Sequence, residues 1–327
     1  MKTYRSMGLM LLMVLAAVMV CFTCMASAEA SGADSGIMAN LFDGKTIKTT
    51  TISISWPEQI LVIISGCVIK PAYMVLSFIL ILLLRKNREN DLVLINWSLI
   101  TFLVGEGFCA VNFLLAGGES DLFEILHGLG MVGLWIFLPW GIFRLIDERV
   151  LGFSNPDKRC VMSGLCGKCW KTQNVICGIS RMFPYAAFSL ALIALMPLTA
   201  PAKPFKILMT VNDVPTVFTF SALVLFFELR VYAILGSIMM LLGGIVRKFE
   251  KNRIDKSETL FFIGFGFMFY SLFRFVLLAC YDGIPQWMNF WEEISELIMI
   301  SLLAYFLFIF RNQFKIKIHT KWLKLKN

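Results

Sequence analysis

Apolar runs long enough to cross a bilayer recur along most of this chain, separated by short polar segments rich in Lys and Arg. A helix rises 1.5 Å per residue, so roughly 20 apolar residues cover the hydrocarbon core. On that scale the pattern predicts seven crossings, at about 66–84, 92–116, 122–145, 183–200, 219–246, 258–280 and 289–310. The expected fold class is all-α integral membrane, a seven-helix domain over 66–310, with an eighth helix if the first apolar segment is retained. Composition agrees: of 327 residues 58% are hydrophobic and 16% charged, and a soluble domain would need more charge to cover its surface.

Residues 1–28 read as a secretory signal peptide or signal anchor. Lys2 and Arg5 precede an apolar run from Gly8 to Met25, and Ala26-Ser27-Ala28 offers a small-residue cleavage site. Residues 29–65 then form a short outer part. Its tail, 29–51, is polar and expected to be mobile; 52–65 (ISISWPEQILVIIS) belongs in or near the outer interface. Pro71 is expected in the first turn of the first crossing, with Lys70 snorkelling outward.

Orientation follows from the basic residues. Segments 85–91, 144–181, 247–257 and 311–327 carry 21 Lys and Arg, whereas the opposite side carries four: Lys45, Lys48, Lys203 and Lys206. The N-terminus is therefore expected outside and the C-terminus inside, in a multi-pass protein of the cell (inner) membrane. The net charge of +8 is explained by loops lying against anionic lipid, with no call for nucleic acid. Loop 197–216, with Pro197, Pro201, Pro204 and Pro215, reads as an irregular outer connection. The tail 311–327 interleaves Lys with apolar residues and suits the inner membrane surface.

The predicted cytoplasmic loop 146–182 holds Cys160, Cys166, Cys169 and Cys177, spaced C-x5-C-x2-C-x7-C. Cytoplasmic thiols stay reduced, and clustered thiolates repel unless a cation compensates them. A metal site is the reading, with a [4Fe–4S] cluster fitting the compact run better than zinc; a basic loop with free thiols is the plainer alternative. In spacing alone the run resembles the cluster loop of endonuclease III-type DNA glycosylases, a likeness confined to 18 residues.

Ionisable residues inside a span are costly and mark function by default. Glu106, His127, Glu228, Arg230, Arg274 and Glu296 fall roughly 8–16 Å below the outer helix ends. They are read as lining a ligand or ion cavity open to the outside, with Glu228 or Glu106 pairing Arg274 or Arg230; interhelical pairing that only fixes packing is the alternative. Cys67, Cys109 and Cys280 are expected as buried free thiols.

Other motifs lead nowhere. The G-x-G-x-x-G string at Gly128–Gly133 lies inside an apolar helix, where its glycines serve close helix packing. Haem b is not expected, because membrane cytochromes clamp haem between paired histidines and only His127 lies in a span. No Walker A, HExxH or GxSxG string occurs, so no catalytic residue is assigned and enzymatic activity stays open.

Three functions fit these features. The first is a sensor or coupling component with an outer polar cavity, a cytoplasmic metal loop and a cytoplasmic or membrane protein partner. The second is a haem-free electron-transfer subunit linking quinone to a soluble redox partner. The third is a secondary transporter.

Overall fold

The computed structural model describes residues 48–151, 178–200, 203–211, 214–249, 254–281 and 284–311. The signal segment, the four-cysteine run and the basic tail beyond residue 311 lie outside the described residues.

The described chain is mostly helical. Helix α1 (Trp56–Leu84) is followed by α2 (Asn90–Ala116), α3 (Asp121–Ile146), α4 (Gly178–Ile193), α5 (Ala222–Phe249), α6 (Ile254–Cys280) and α7 (Pro285–Ile309). Five of these, α1, α2, α3, α5 and α6, are long and apolar enough to cross a membrane. Of the seven expected crossings, five fall on helices that meet this measure among the described residues. The fourth predicted crossing is a 16-residue helix, α4, ending in a 3-10 turn, Met196–Thr199. The seventh lies on α7, 25 residues long but carrying Glu292, Glu293 and Glu296 in its first half.

The helices are inside-out by the standard of a soluble bundle. Phe113, Leu114, Leu115, Leu302, Tyr305 and Phe308 are exposed, while Asp91, Glu106, Glu228, Arg274, Glu293 and Glu296 are buried. A lipid environment accounts for both halves of that pattern, since it solvates the apolar faces and drives polar groups to the interior.

Small residues set the helix spacing. A side chain at Gly130 on α3 would lie 2.8 Å from the Gly105 backbone nitrogen on α2, and one at Gly264 on α6 would lie 2.7 Å from Gly236 O on α5. These glycines allow backbone contact that any larger residue would block. The α2–α3 hairpin closes on Gly117, whose φ of 60° is left-handed and ends α2, followed by Gly118 at 81°.

Helix α1 runs through the point where a start was expected. Pro71 has no N–H to give the carbonyl four residues earlier, and the chain absorbs the loss as a π-helical turn, Ser65–Ile69, without stopping. The helix begins instead at Trp56, capped by Ser55, whose N–H and hydroxyl both donate to Glu58 at 2.8 and 2.7 Å. A second π turn, Phe227–Val231, interrupts α5.

Where the structure describes it, the connection 197–216 is largely strand, not the irregular run expected. Strands β2 (Phe205–Val211) and β3 (Val214–Phe220) form an antiparallel hairpin, and β1 (Lys48–Ile52) pairs in parallel with β2, with Lys48 opposite Phe205 and Ile52 opposite Met209. The end of the polar tail is therefore a strand, and α5 starts at Ala222 after β3. Alternate residues Ile207, Met209 and Val211 are buried and pack with Ile52, Ile54, Val62 and Phe218. Lys206 Nζ, 2.7 Å from Glu119 Oε1, ties the hairpin to the α2–α3 turn.

Candidate functional site

Between α1, α2, α3, α6, α7 and the β2–β3 hairpin lies a cavity of about 530 Å³, within the usual range for small-molecule sites. Its apolar wall includes Val62, Phe113, Val217, Phe218, Phe220 and Met288. Its polar wall includes Lys70, Glu106, Glu124, His127, Arg274, Glu292, Glu293 and Glu296.

Two ion-pair networks form that polar wall. In the first, Lys70 Nζ lies 2.6 Å from Glu106 Oε2 and 3.1 Å from Glu293 Oε1, and it donates to Cys109 Sγ at 3.3 Å. The Tyr73 hydroxyl lies 2.8 Å from Glu106 Oε2 and 2.5 Å from Glu293 Oε2. His127 Nε2 meets Glu106 Oε1 at 3.0 Å, and Nδ1 faces Glu124 Oε1 at 3.8 Å. In the second network, Arg274 donates from Nε to Glu228 Oε2 at 2.9 Å and from one terminal nitrogen to both Glu292 oxygens at 2.8 and 2.9 Å. Tyr270 donates to Glu228 Oε1 at 2.9 Å, and the guanidinium lies 5.2 Å from the Phe220 ring centre.

The centres of both networks are buried, Arg274 at 2% exposed and Glu106 fully buried, while Lys70, Glu124 and Glu292 keep part of their surface on the cavity. In such a medium an unpaired charge is far more expensive than in water. Glu296 stands out. It is 4% exposed, lines the cavity, and neither carboxylate oxygen has a hydrogen-bond partner.

Of the six residues singled out from sequence, Glu106, His127, Arg274 and Glu296 line the cavity. Glu228 sits behind Arg274 as its buried partner. Arg230 does not join them. It donates to Pro197 O at 2.7 Å and to Ala200 O at 2.5 Å, fastening α5 to the turn after α4. Lys70 points into the bundle instead of snorkelling outward, because α1 extends beyond it toward Trp56 and two buried carboxylates await its ammonium. Cys67 and Cys280 are exposed, where burial was expected, and Cys109 is half-buried.

Sequence reasoning passed over Tyr73, Glu124, Glu292 and Glu293. Glu124 and Glu293 stand three residues before His127 and Glu296, so each shares a helix face with a residue already singled out. Possible metal donors also emerge. Ligand atoms of Glu106, Cys109 and His127 lie within 4.8 Å of one another, as do those of Glu106, Glu293 and Glu296. Compared with protein-family models, curated proteins and solved structures, the chain matches none.

Proposed function

We propose that the protein is a membrane sensor or coupling component whose outward-facing cavity binds a small organic cation. The observation that carries this reading is the charge of the wall: five carboxylates against two permanent cations, Lys70 and Arg274. Both cations are already engaged, Lys70 by Glu106 and Glu293, Arg274 by Glu228 and Glu292. An anionic ligand would meet excess negative charge, against which stand Arg274 Nη2 and His127 Nδ1, the two nitrogens of the wall without a hydrogen-bond partner. A cation would meet carboxylates, with Phe113, Phe218 and Phe220 to cover its hydrocarbon part and face its charge.

Coupling needs two helix packings that the ligand distinguishes. Helix α3 carries Glu124 and His127 in the cavity and leads at its other end toward the four-cysteine loop. A ligand that draws Glu124 toward itself changes the balance between α3 and its neighbours, and the loop with its metal would carry that change to a partner protein.

The test is thermal unfolding of the detergent-purified full chain with a panel of small alkylamines, quaternary ammonium compounds and matched carboxylates. A ligand at about 100 times its Kd adds about 2.7 kcal/mol to stability. The reading expects cations alone to raise the unfolding temperature, and the effect to be lost in Glu124→Gln/Glu292→Gln. Stabilisation by anions, or by nothing in the panel, contradicts it.

A secondary transporter is the second reading, favoured by the π-helical turns in α1 and α5, each beside the ion pairs. Such turns are frequent at functional sites. Cation uptake into proteoliposomes, abolished by Glu228→Gln, would select it over the sensor.

A further inference from the structure

We infer that the corner of the cavity formed by Glu106, Glu293 and Glu296 is a binding site for a divalent metal ion that prefers oxygen ligands. The inference rests on the cavity reading above and adds an ion of definite chemistry to it.

Three observations converge. First, ligand oxygens of the three carboxylates lie within 4.8 Å of one another, on two helices, α2 and α7, and all three side chains are buried. That separation lets one cation touch all three.

Second, the charges do not balance. Lys70 is the one ammonium on these carboxylates, shared between Glu106 and Glu293. With all three carboxylates ionised and the His127 imidazole on Glu106 neutral, two negative charges remain in the cluster. A divalent ion matches that deficit.

Third, Glu296 has no other work in the structure. Both its oxygens lack a hydrogen-bond donor although the residue is 4% exposed and faces the cavity. Glu106 and Glu293 are held by Lys70, and the Tyr73 hydroxyl lies within hydrogen-bond distance of both, yet its single proton reaches one of them at a time. A metal ion here would take the unpartnered Glu296 directly and share the oxygens of Glu106 and Glu293 with Lys70, Tyr73 and, on Glu106, His127.

The donor set selects the metal class. Three carboxylates and a phenol are hard ligands suited to Ca²⁺, Mg²⁺ or Mn²⁺. The neighbouring combination of Glu106, Cys109 and His127 would suit zinc, but each of its members already has a hydrogen-bond partner, whereas Glu296 has none. His127 Nε2 is taken by Glu106, and Cys109 Sγ receives the Lys70 ammonium.

The test uses the full chain in detergent, stripped with a chelator, and follows free Mn²⁺ by electron paramagnetic resonance. The site predicts about one Mn²⁺ per chain, displaced by Ca²⁺. Glu296→Gln should weaken binding at least about tenfold, and Cys280→Ser, at an exposed position that does not line the cavity, should leave it unchanged. If Glu296→Gln fails to fold, Glu296→Asp replaces it: it keeps the charge, withdraws the carboxylate, and must also lose affinity. No Mn²⁺ binding, binding indifferent to the Glu296 variants, or equal loss in Cys280→Ser overturns the inference. The same preparations are titrated with the amine panel. Stabilisation by amines without Mn²⁺ binding removes the metal site and spares the cavity reading; failure of both probes removes both.

Discussion

Lys70 Nζ stands 2.6 Å from Glu106 Oε2, joining α1 to α2 inside the bundle, at a position where the sequence suggests a lysine reaching for the membrane surface. Its stem and charge are thus part of the interior. Breaking a buried pair by removing one partner leaves an uncompensated charge and costs about 3–5 kcal/mol. Lys70→Met should lower the unfolding temperature in detergent sharply, and adding Glu106→Gln should recover a large part of the loss. Equal stability of Lys70→Met and wild type would return Lys70 to the surface.

Arg274 serves two carboxylates at once, Glu228 on α5 and Glu292 on α7. Arg274→Met should therefore destabilise more than Glu228→Gln, by about 3–5 kcal/mol, since the glutamine still accepts from Tyr270 and Arg274. The ranking is read from parallel unfolding curves, and a reversed order would show that Glu292 alone holds the guanidinium.

Close helix approach makes a contrasting pair of predictions. A methyl group at Gly130 would lie 2.8 Å from both Gly105 N and Thr101 O, which are backbone atoms that cannot step aside. Gly130→Ala should cost about 1–3 kcal/mol. Gly107, two residues after Gly105 and so on the other side of α2, has nothing within 4 Å of the same added atom. Gly107→Ala should stabilise by about 0.5–1 kcal/mol, the usual gain of replacing glycine within a helix. Similar effects at both positions would mean that α2 and α3 do not meet at Gly105 and Gly130.

The four-cysteine run yields its own prediction. Protein purified without oxygen should carry iron and acid-labile sulfide, about four of each per chain, or one zinc, and lose it in Cys166→Ser/Cys169→Ser. Absence of metal from both preparations would remove the loop as a metal site and, with it, the electron-transfer alternative.

Membrane class was legible because apolar length needs no tertiary information, and depth along a helix was enough to bring Glu106, His127, Arg274 and Glu296 to one level. What depth cannot supply is the side of a helix. Glu228 and Arg230, two residues apart, diverge to Arg274 and to the carbonyls of Pro197 and Ala200. Lys70 was misread because a proline that usually starts a helix is here tolerated by a π turn. The hairpin was hidden by its prolines, although the alternation of Ile207, Met209 and Val211 carries the strand period. Glu292 and Glu293 were missed because the expected crossing was judged by its apolar residues, while the helix spends its first half on carboxylates.

The central claim is an outward-open cavity of negative potential, and Cys67 offers a reporter, being exposed and part of the cavity wall. The measurement is the rate at which Cys67 reacts with membrane-impermeant methanethiosulfonates added outside intact cells, one cationic and one anionic. Each rate is normalised to a small thiol in solution and to Cys280, which is exposed but does not line the cavity. The account predicts that Cys67 prefers the cationic reagent by about tenfold or more, as charged clefts concentrate counter-ions, and that the preference falls in Glu124→Gln/Glu292→Gln. Equal rates, an anionic preference, or no reaction from outside would contradict it.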